Sequence, residues 1–436
     1  MSAIADVVLS ENIRVFLRQR PQTTYERENP ENGPQSTNLE SKLVLDGSGR
    51  CVYEPSTKNG SAEKVPREYK YNFNACYGHA STQEDIYSGS AKDIIQSSLK
   101  GYSGTIFAYG PTNSGKTYTM RGGGVGLGGQ KGGFSKGLME RAVEELLSEL
   151  TSTGGELWAS YLQIYCEVVS DLLHEPNSVD YTPPATAVGG GGKAAIAALK
   201  DAPREDSTQA ELLLREKDGK VYVEGAQRRQ ICNVKDFGAL LEEGDDNRAT
   251  AETNLNEASS RSHTVCMLRV MVPEDEEGKR PDGARSFKES MVMMVDLAGC
   301  ERAEASAGKH YKRSEEARAI NLSLTSLGNC MNALAEQRKF IPYRDSKLTR
   351  LLQGSLGTGA RTSVIVTLPP GSATNFDQSA LPVLRFASRA MKVTVSAKVN
   401  RFVDYKALYE MSLKALEEKD ASDKAAAEEK RSNLLE

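Results

Sequence analysis

The spacing of hydrophobic positions changes along the chain, and each change predicts an element. Ile13-Arg14-Val15-Phe16-Leu17-Arg18-Gln19-Arg20-Pro21 alternates as a strand and ends on proline. From about Gln22 to Lys70 the chain turns polar, with one short strand expected at Leu43-Val44-Leu45, before Tyr71-Asn72-Phe73 restores β character. Ser81 to Leu99 has helical spacing, with Ile86, Ile94 and Ile95 inward. The apolar run Thr105-Ile106-Phe107-Ala108-Tyr109 predicts a strand. Gly137 to Leu150 returns to helical spacing and buries Met139, Val143, Leu146, Leu147 and Leu150. Strands follow at Leu157–Tyr165, Val265–Val272 and Ser290–Asp296, with a helix at Val234–Gly244 between the first two. A long helix is expected from Ser314, an N-cap with Glu315 and Glu316 behind it, to Arg338. Its stripe is Ala317, Ile320, Leu324, Leu327, Met331 and Leu334, and Pro342 stops it. A strand at Ser363–Leu368 and a helix ending near Lys392 complete an alternation that predicts an α/β sheet with helices on both faces.

Two stretches break the pattern. The glycine-rich segment 121–133 reads as a mobile loop, and the Pro/Ala/Gly-rich segment 182–206 as a disordered insertion. Across 436 residues, 39% hydrophobic and 26% charged content is that of a soluble globular chain. No apolar run is long enough to cross a bilayer, and no signal peptide is visible. Seven cysteines stand singly with no Cys-x-x-Cys pair, and the four histidines do not cluster with them, which disfavours a metal cluster or a disulfide framework. A net charge of −4 argues against nucleic acid as a partner, so an acidic partner requires a local basic patch.

The chemistry centres on Gly110-Pro111-Thr112-Asn113-Ser114-Gly115-Lys116-Thr117, which follows the apolar run at 105–109. It fits the phosphate-binding pattern Gly-x-x-x-x-Gly-Lys-Ser/Thr. The two glycines let backbone N–H groups approach a phosphate. Lys116 is suited to β- and γ-oxygens, and the Thr117 hydroxyl to Mg²⁺. Asp296, at the tip of an apolar strand, is the candidate carboxylate for that ion, and Gly299 could offer its N–H to a γ-phosphate.

Asn256-Glu257-Ala258-Ser259-Ser260-Arg261-Ser262-His263 and Asp296-Leu297-Ala298-Gly299-Cys300-Glu301 resemble the two switch motifs of the kinesin motor domain. Arg18 to Pro21, Ser160 to Tyr165, Ile320 to Leu324 and Pro342 to Arg350 extend the resemblance over about residues 12 to 396. Arg389 to Val393 and Asp404 to Lys406 are most similar to plant armadillo-repeat and related ungrouped kinesins. The resemblance implies a P-loop NTPase fold, a central mixed, mostly parallel β-sheet flanked by helices on both faces. It further implies an N-terminal extension over 1–11, a motor domain over 12–392, a neck linker over 393–404 and a helical neck over 405–436.

Carried over by residue, Arg18 and Pro21 with Tyr118 would flank the adenine of ATP or ADP, and Gly110 to Thr117 would hold its phosphates. Asn256, Ser259 and Ser260 would close on the γ-phosphate, with Ser260 joining Thr117 and Asp296 around Mg²⁺. Arg261 and Glu301 would bridge the switches when ATP is bound, and Glu301 would help position the attacking water. Lys309, Lys312 and Arg313, together with Arg344, Lys347 and Arg350, would face tubulin. Thr394 to Asn400 would dock as the neck linker, and the residues from Tyr405 onward could start a homodimer seam. The implied activity is that of a microtubule-dependent ATPase, cytoplasmic, cytoskeletal and plus-end directed, with a non-motile scaffold or a filament depolymerase as alternatives. A GTPase is disfavoured because no Asn-Lys-x-Asp motif occurs. Pro111, Asn113, the loop after Glu301 and Pro382 depart from the common pattern, and Pro382 predicts that the last helix starts late or kinks.

Overall fold

A computed structural model describes residues 8–23, 42–46, 48–54, 68–123, 135–174, 211–217, 219–252, 261–274, 285–301, 311–370, 376–404, 413 and 416. Asn256, Ser259, Ser260 and Lys309 lie outside these residues, as do the segment 182–206, most of 121–133 and nearly all of the expected neck helix.

The strands are β1 (Val8–Asn12), β2 (Arg14–Gln19), β3 (Lys42–Leu45), β4 (Arg50–Glu54), β5 (Tyr69–Asn72), β6 (Ala75–Tyr77) and β7 (Gly104–Tyr109). They continue with β8 (Gly122–Gly123), β9 (Ser135–Lys136), β10 (Glu156–Tyr165), β11 (Val168–Asp171), β12 (Leu213–Lys217), β13 (Lys220–Glu224) and β14 (Arg229–Gln230). The last are β15 (His263–Pro273), β16 (Arg285–Asp296), β17 (Arg361–Leu368), β18 (Thr394–Lys398) and β19 (Arg401–Asp404). The helices are α1 (Gln83–Ser90), α2 (Lys92–Ser98), α3 (Lys116–Arg121), α4 (Leu138–Thr153), α5 (Val234–Glu252), α6 (Tyr311–Ala335), α7 (Lys347–Leu351) and α8 (Phe376–Ala390).

The main sheet has the order β11-β10-β15-β16-β7-β17-β2-β6. From β16 to β6 every neighbouring pair is parallel, whereas β15 and β11 run against their neighbours. The sheet is therefore mixed and mostly parallel. Along β7 the faces alternate: Phe107 joins the core under α6, α7 and α8, while Ile106 and Ala108 join the core under α1, α2, α4 and α5. That double burial accounts for the unbroken apolar run.

Several boundaries move. The helix expected over Ser81–Leu99 divides at Ala91, where the buried Ser90 hydroxyl donates back to the Ile86 carbonyl and competes with the helical ladder. Its N-cap is Thr82 in a reciprocal capping box with Asp85. α6 begins at Tyr311, so Ser314 lies inside the helix and does not cap it. α8 begins at Phe376 and contains Pro382, so it does not start late. The polar excursion holds a three-stranded sheet, β3-β4-β5, in which the apolar run of β4 is only Cys51-Val52-Tyr53. β1 straddles the expected domain boundary at residue 12 and pairs antiparallel with β18. The guanidinium of Arg361 on β17 ties this pair to the body: it donates to Glu11 at 2.7 and 2.9 Å and to Asp93 at 2.7 Å.

Candidate functional site

The site forms where the parallel strands end, the edge at which α/β sheets bind ligands. β7 runs directly into Gly110, and Asp296, the last residue of β16, pairs across from Ala108. Sheet register therefore brings the carboxylate beside the loop. A Cβ on Gly110 would stand 2.3 Å from the Thr367 carbonyl at the end of β17, so only glycine fits. Gly115 turns at φ +96° to start α3, and Asn113 takes φ +60°. Asparagine and glycine both accept that left-handed conformation, which gives the departure at Asn113 a conformational reason. The Ser114 hydroxyl is 2.6 Å from that of Thr367, and Arg20 Nε donates to the Asn113 carbonyl at 2.6 Å.

Within the loop, Lys116 Nζ donates to the Pro111 carbonyl at 2.8 Å, and Thr117 Oγ1 donates to Asp296 Oδ2 at 2.5 Å. Burial lowers the Lys116 pKa and raises that of Asp296, and their mutual attraction opposes both shifts. Asp296 Oδ1 is buried without a hydrogen-bond partner. An orphaned carboxylate oxygen beside a threonine hydroxyl fits Mg²⁺, which is ordinarily held by few protein ligands together with phosphate oxygens and water. No cluster of three or more His, Cys, Asp or Glu occurs among the described residues.

The segment after Asp296 is fastened to the loop. Cys300 N–H donates to the Gly110 carbonyl at 3.2 Å, and Glu301 accepts from Thr112 N–H at 2.8 Å and from the Thr112 hydroxyl. A Cβ on Gly299 would stand 2.2 Å from Thr112 Oγ1, so this close approach also requires glycine. Glu301 thus holds Thr112 here, where the resemblance implies a bridge to Arg261 in the ATP state.

At the other end of the loop, Arg18 is 5% exposed, donates to Gln83 Oε1 at 2.7 Å and Thr119 Oγ1 at 2.8 Å, and lies 5.2 Å from the Tyr118 ring centre. Gln83 Nε2 in turn donates to the Tyr118 carbonyl at 2.6 Å. Tyr118 is left exposed, an aromatic face braced by a cation beside the loop. Pro21 accepts from Arg20 at 2.9 Å on the same side. Gln83 and Thr119 hold this constellation together, and no local spacing in the sequence singles them out.

His263, at the start of β15, is bonded to the segment that follows Asp296. It accepts from Ala298 N–H at Nδ1 (3.0 Å) and lies 2.8 Å from the Ser323 hydroxyl at Nε2. Burial, with a smaller contribution from the Lys116 charge, pushes its pKa down to about 3. Its place two residues from Arg261 in the switch-like motif is the signal that could have found it.

The basic residues around α7 are less uniform than their spacing suggests. Arg344 is exposed and 3.6 Å from Glu216, and Lys347 is 3.8 Å from Glu211. Arg350 is half-buried, with a buried Nε lacking a hydrogen-bond partner. Glu167 orients α7 by accepting from Lys347 N–H at 2.6 Å and from the Ser346 hydroxyl at 2.8 Å. Lys312 and Arg313 belong to the first turn of α6.

A parallel strand feeding a glycine loop and helix, with a carboxylate from the adjacent strand on its threonine, defines a P-loop nucleotide-binding protein. The kinesin motor domain profile matches residues 18–393, and the chain belongs to the kinesin motor domain family. It is 36% identical to kinesin-like protein KIN-UA of Oryza sativa subsp. japonica, covering 78% of this chain and 33% of that protein. To kinesin-like protein KIN-UC of Arabidopsis thaliana it is 37% identical over 78% of this chain and 29% of that protein. The chain thus spans about a third of the length of these curated relatives. A solved structure titled as that of a fast kinesin, with implications for ATPase mechanism and interactions with microtubules, superposes with a TM-score of 0.68 at 29% identity. That match covers 90% of this chain and 94% of the solved one.

Proposed function

We propose that this chain is a motor ATPase that binds microtubules, turns over ATP faster when bound to them, and docks its neck linker toward the plus end. The observation that supports this most is the fastening of the 296–301 segment to the P-loop through Asp296–Thr117 and Glu301–Thr112. A carboxylate bonded to the loop itself is placed to sense what the loop holds. In this reading Tyr118, braced by Arg18, receives the adenine, and the amides of 112–117 receive the phosphates. Lys116 exchanges the Pro111 carbonyl for phosphate oxygens. Thr117 and Asp296, with Ser260, would hold Mg²⁺, which supplies charge neutralisation on the β- and γ-oxygens. Gly299 N–H and Asn256, Ser259 and Arg261 form the γ-phosphate sensor, and Glu301 leaves Thr112 for Arg261 and the attacking water. The catalytic gain is then mainly positioning and charge stabilisation.

Filament contact is assigned to Lys309, Lys312, Arg313, Arg344, Lys347 and Arg350. Neck docking is supported by the β1–β18 pair, by Asn400 N–H donating to the Gly101 carbonyl at 3.0 Å, and by β19 lying along β16. One observation favours a non-motile scaffold: Pro111 has no N–H to give to the phosphate cradle. Steady-state ATPase with and without polymerised tubulin, beside a Glu301→Ala control, decides. At least about tenfold stimulation, abolished in the control, is expected for a motor. Filament binding with unchanged turnover would leave the scaffold.

A further inference from the structure

His263 joins three segments that are far apart in the chain. Its backbone begins β15, the strand that leaves the first switch-like motif; Ala298 belongs to the segment that carries Asp296 and Glu301; Ser323 lies on α6. All three residues are buried. The chemistry of the ring fixes its state. A backbone N–H can only donate, so Nδ1, which faces Ala298 N–H, is the acceptor, and in the neutral ring the proton is on Nε2, which donates to Ser323 Oγ. Both nitrogens of one rigid plane are thereby committed, and a shift of Ala298 must either move the ring or break a bond.

What lies at each end of this bridge gives it meaning. On one side, the 296–301 segment is pinned to the P-loop at Thr117, Gly110 and Thr112. On the other, α6 packs with Leu327 and Met331 into the same core as Leu348 and Leu352, next to the Arg344–Lys347 surface. Resting on the motor ATPase reading above, we propose that His263 is a positioning residue that couples the phosphate site to the filament-facing elements, carrying displacement of the 296–301 segment to α6 through Ser323. A histidine that merely fills the core would satisfy the same two bonds, but turnover on filaments would not depend on them specifically.

The test is steady-state ATPase of the full chain across a series of polymerised tubulin, for wild type, Ser323→Ala, Ser323→Thr, His263→Asn and the double variant His263→Asn plus Ser323→Ala. Ser323→Ala should keep basal turnover and lose about tenfold in filament-stimulated kcat, the effect of one buried hydrogen bond. Ser323→Thr, which restores a hydroxyl, should recover it. Asparagine offers an acceptor where Nδ1 stood but does not reach Ser323, so His263→Asn should lose stimulation too. The double variant should then be no worse than the poorer single one, because both remove the same bond. Ser323→Ala stimulated like wild type, or losses that add in the double variant, would overturn the inference. If Ser323→Ala does not fold, His263→Asn decides alone: full stimulation there refutes the bridge, and lost stimulation with basal turnover retained supports it. Wild type unstimulated by filaments would overturn the motor reading, and the coupling with it.

Discussion

The nucleotide end of this domain and the surface around α7, to which we assign filament contact, use charge in opposite ways. At the first, Lys116, Asp296 and Arg18 are each less than a tenth exposed, and each contacts a specific partner at 2.5 to 2.8 Å. At the second, Arg344 and Lys347 meet Glu216 and Glu211 at 3.6 and 3.8 Å on the surface. Desolvation makes the buried set all-or-none, since removing one member strands another in a low dielectric. Exposed pairs are graded, weak and screened by salt. A motor needs both: a site that discriminates sharply between nucleotide states, and a surface that can let go.

Substitutions at the two ends should therefore differ in size and in salt dependence. The largest effect is expected from Lys116→Ala, with a loss of about 10³-fold in ATP turnover. A loss below tenfold would show that the buried cation is dispensable and would collapse the contrast. Next comes Glu301→Ala, at about 10²-fold in kcat with nucleotide affinity little changed. Thr112→Val, which removes the hydroxyl contact but keeps the N–H contact, should cost less than Glu301→Ala; equal losses would mean that Thr112 acts through its hydroxyl alone.

A smaller effect concerns pH. The unfolded chain binds a proton at His263 near pH 6.5, whereas the folded chain resists it down to about pH 3. Its contribution to stability is thus complete above pH 6.5 and is lost progressively as pH falls through that window. By pH 5.5 the loss is about 1.3 kcal/mol relative to neutral pH. Denaturant midpoints of wild type and His263→Asn should diverge least at pH 5.5 and most at pH 7.5; parallel curves would mean that His263 takes up a proton as readily in the fold as in the unfolded chain. The smallest effect is at the surface. Arg344→Ala should weaken filament binding about threefold at low salt and not at high salt, and Arg350→Ala less still. Co-sedimentation over a salt series reads both, and a larger effect at Arg350 would show that its guanidinium leaves its half-buried position on binding.

The same contrast explains what the sequence disclosed. The P-loop is eight contiguous residues, and Asp296 ends an apolar strand, so both can be read locally. The α6 stripe predicted Leu324, Leu327 and Met331 as core, and all three are buried. Ser323 and Ser326 are equally buried, which helical spacing of apolar residues could not disclose. Glu301 and Thr112 are 189 residues apart, and Arg18 and Gln83 are 65 apart. Such contacts arise from sheet order, which brings β16, β7, β17 and β2 side by side, and no periodicity encodes them. The surface around α7 read as one basic patch because its neutralising partners, Glu211 and Glu216, come from a distant hairpin strand and its approach. Family resemblance supplied the order of the switch motifs; tertiary register supplied their partners.

The central claim is that the two ends form one thermodynamic system. It is tested most directly by the Kd of the chain for polymerised tubulin with a non-hydrolysable ATP analogue and with ADP, at one ionic strength. Coupling of the size common between linked sites predicts affinities differing by about tenfold or more, tighter with the ATP analogue. Equal affinities in the two nucleotide states would contradict it.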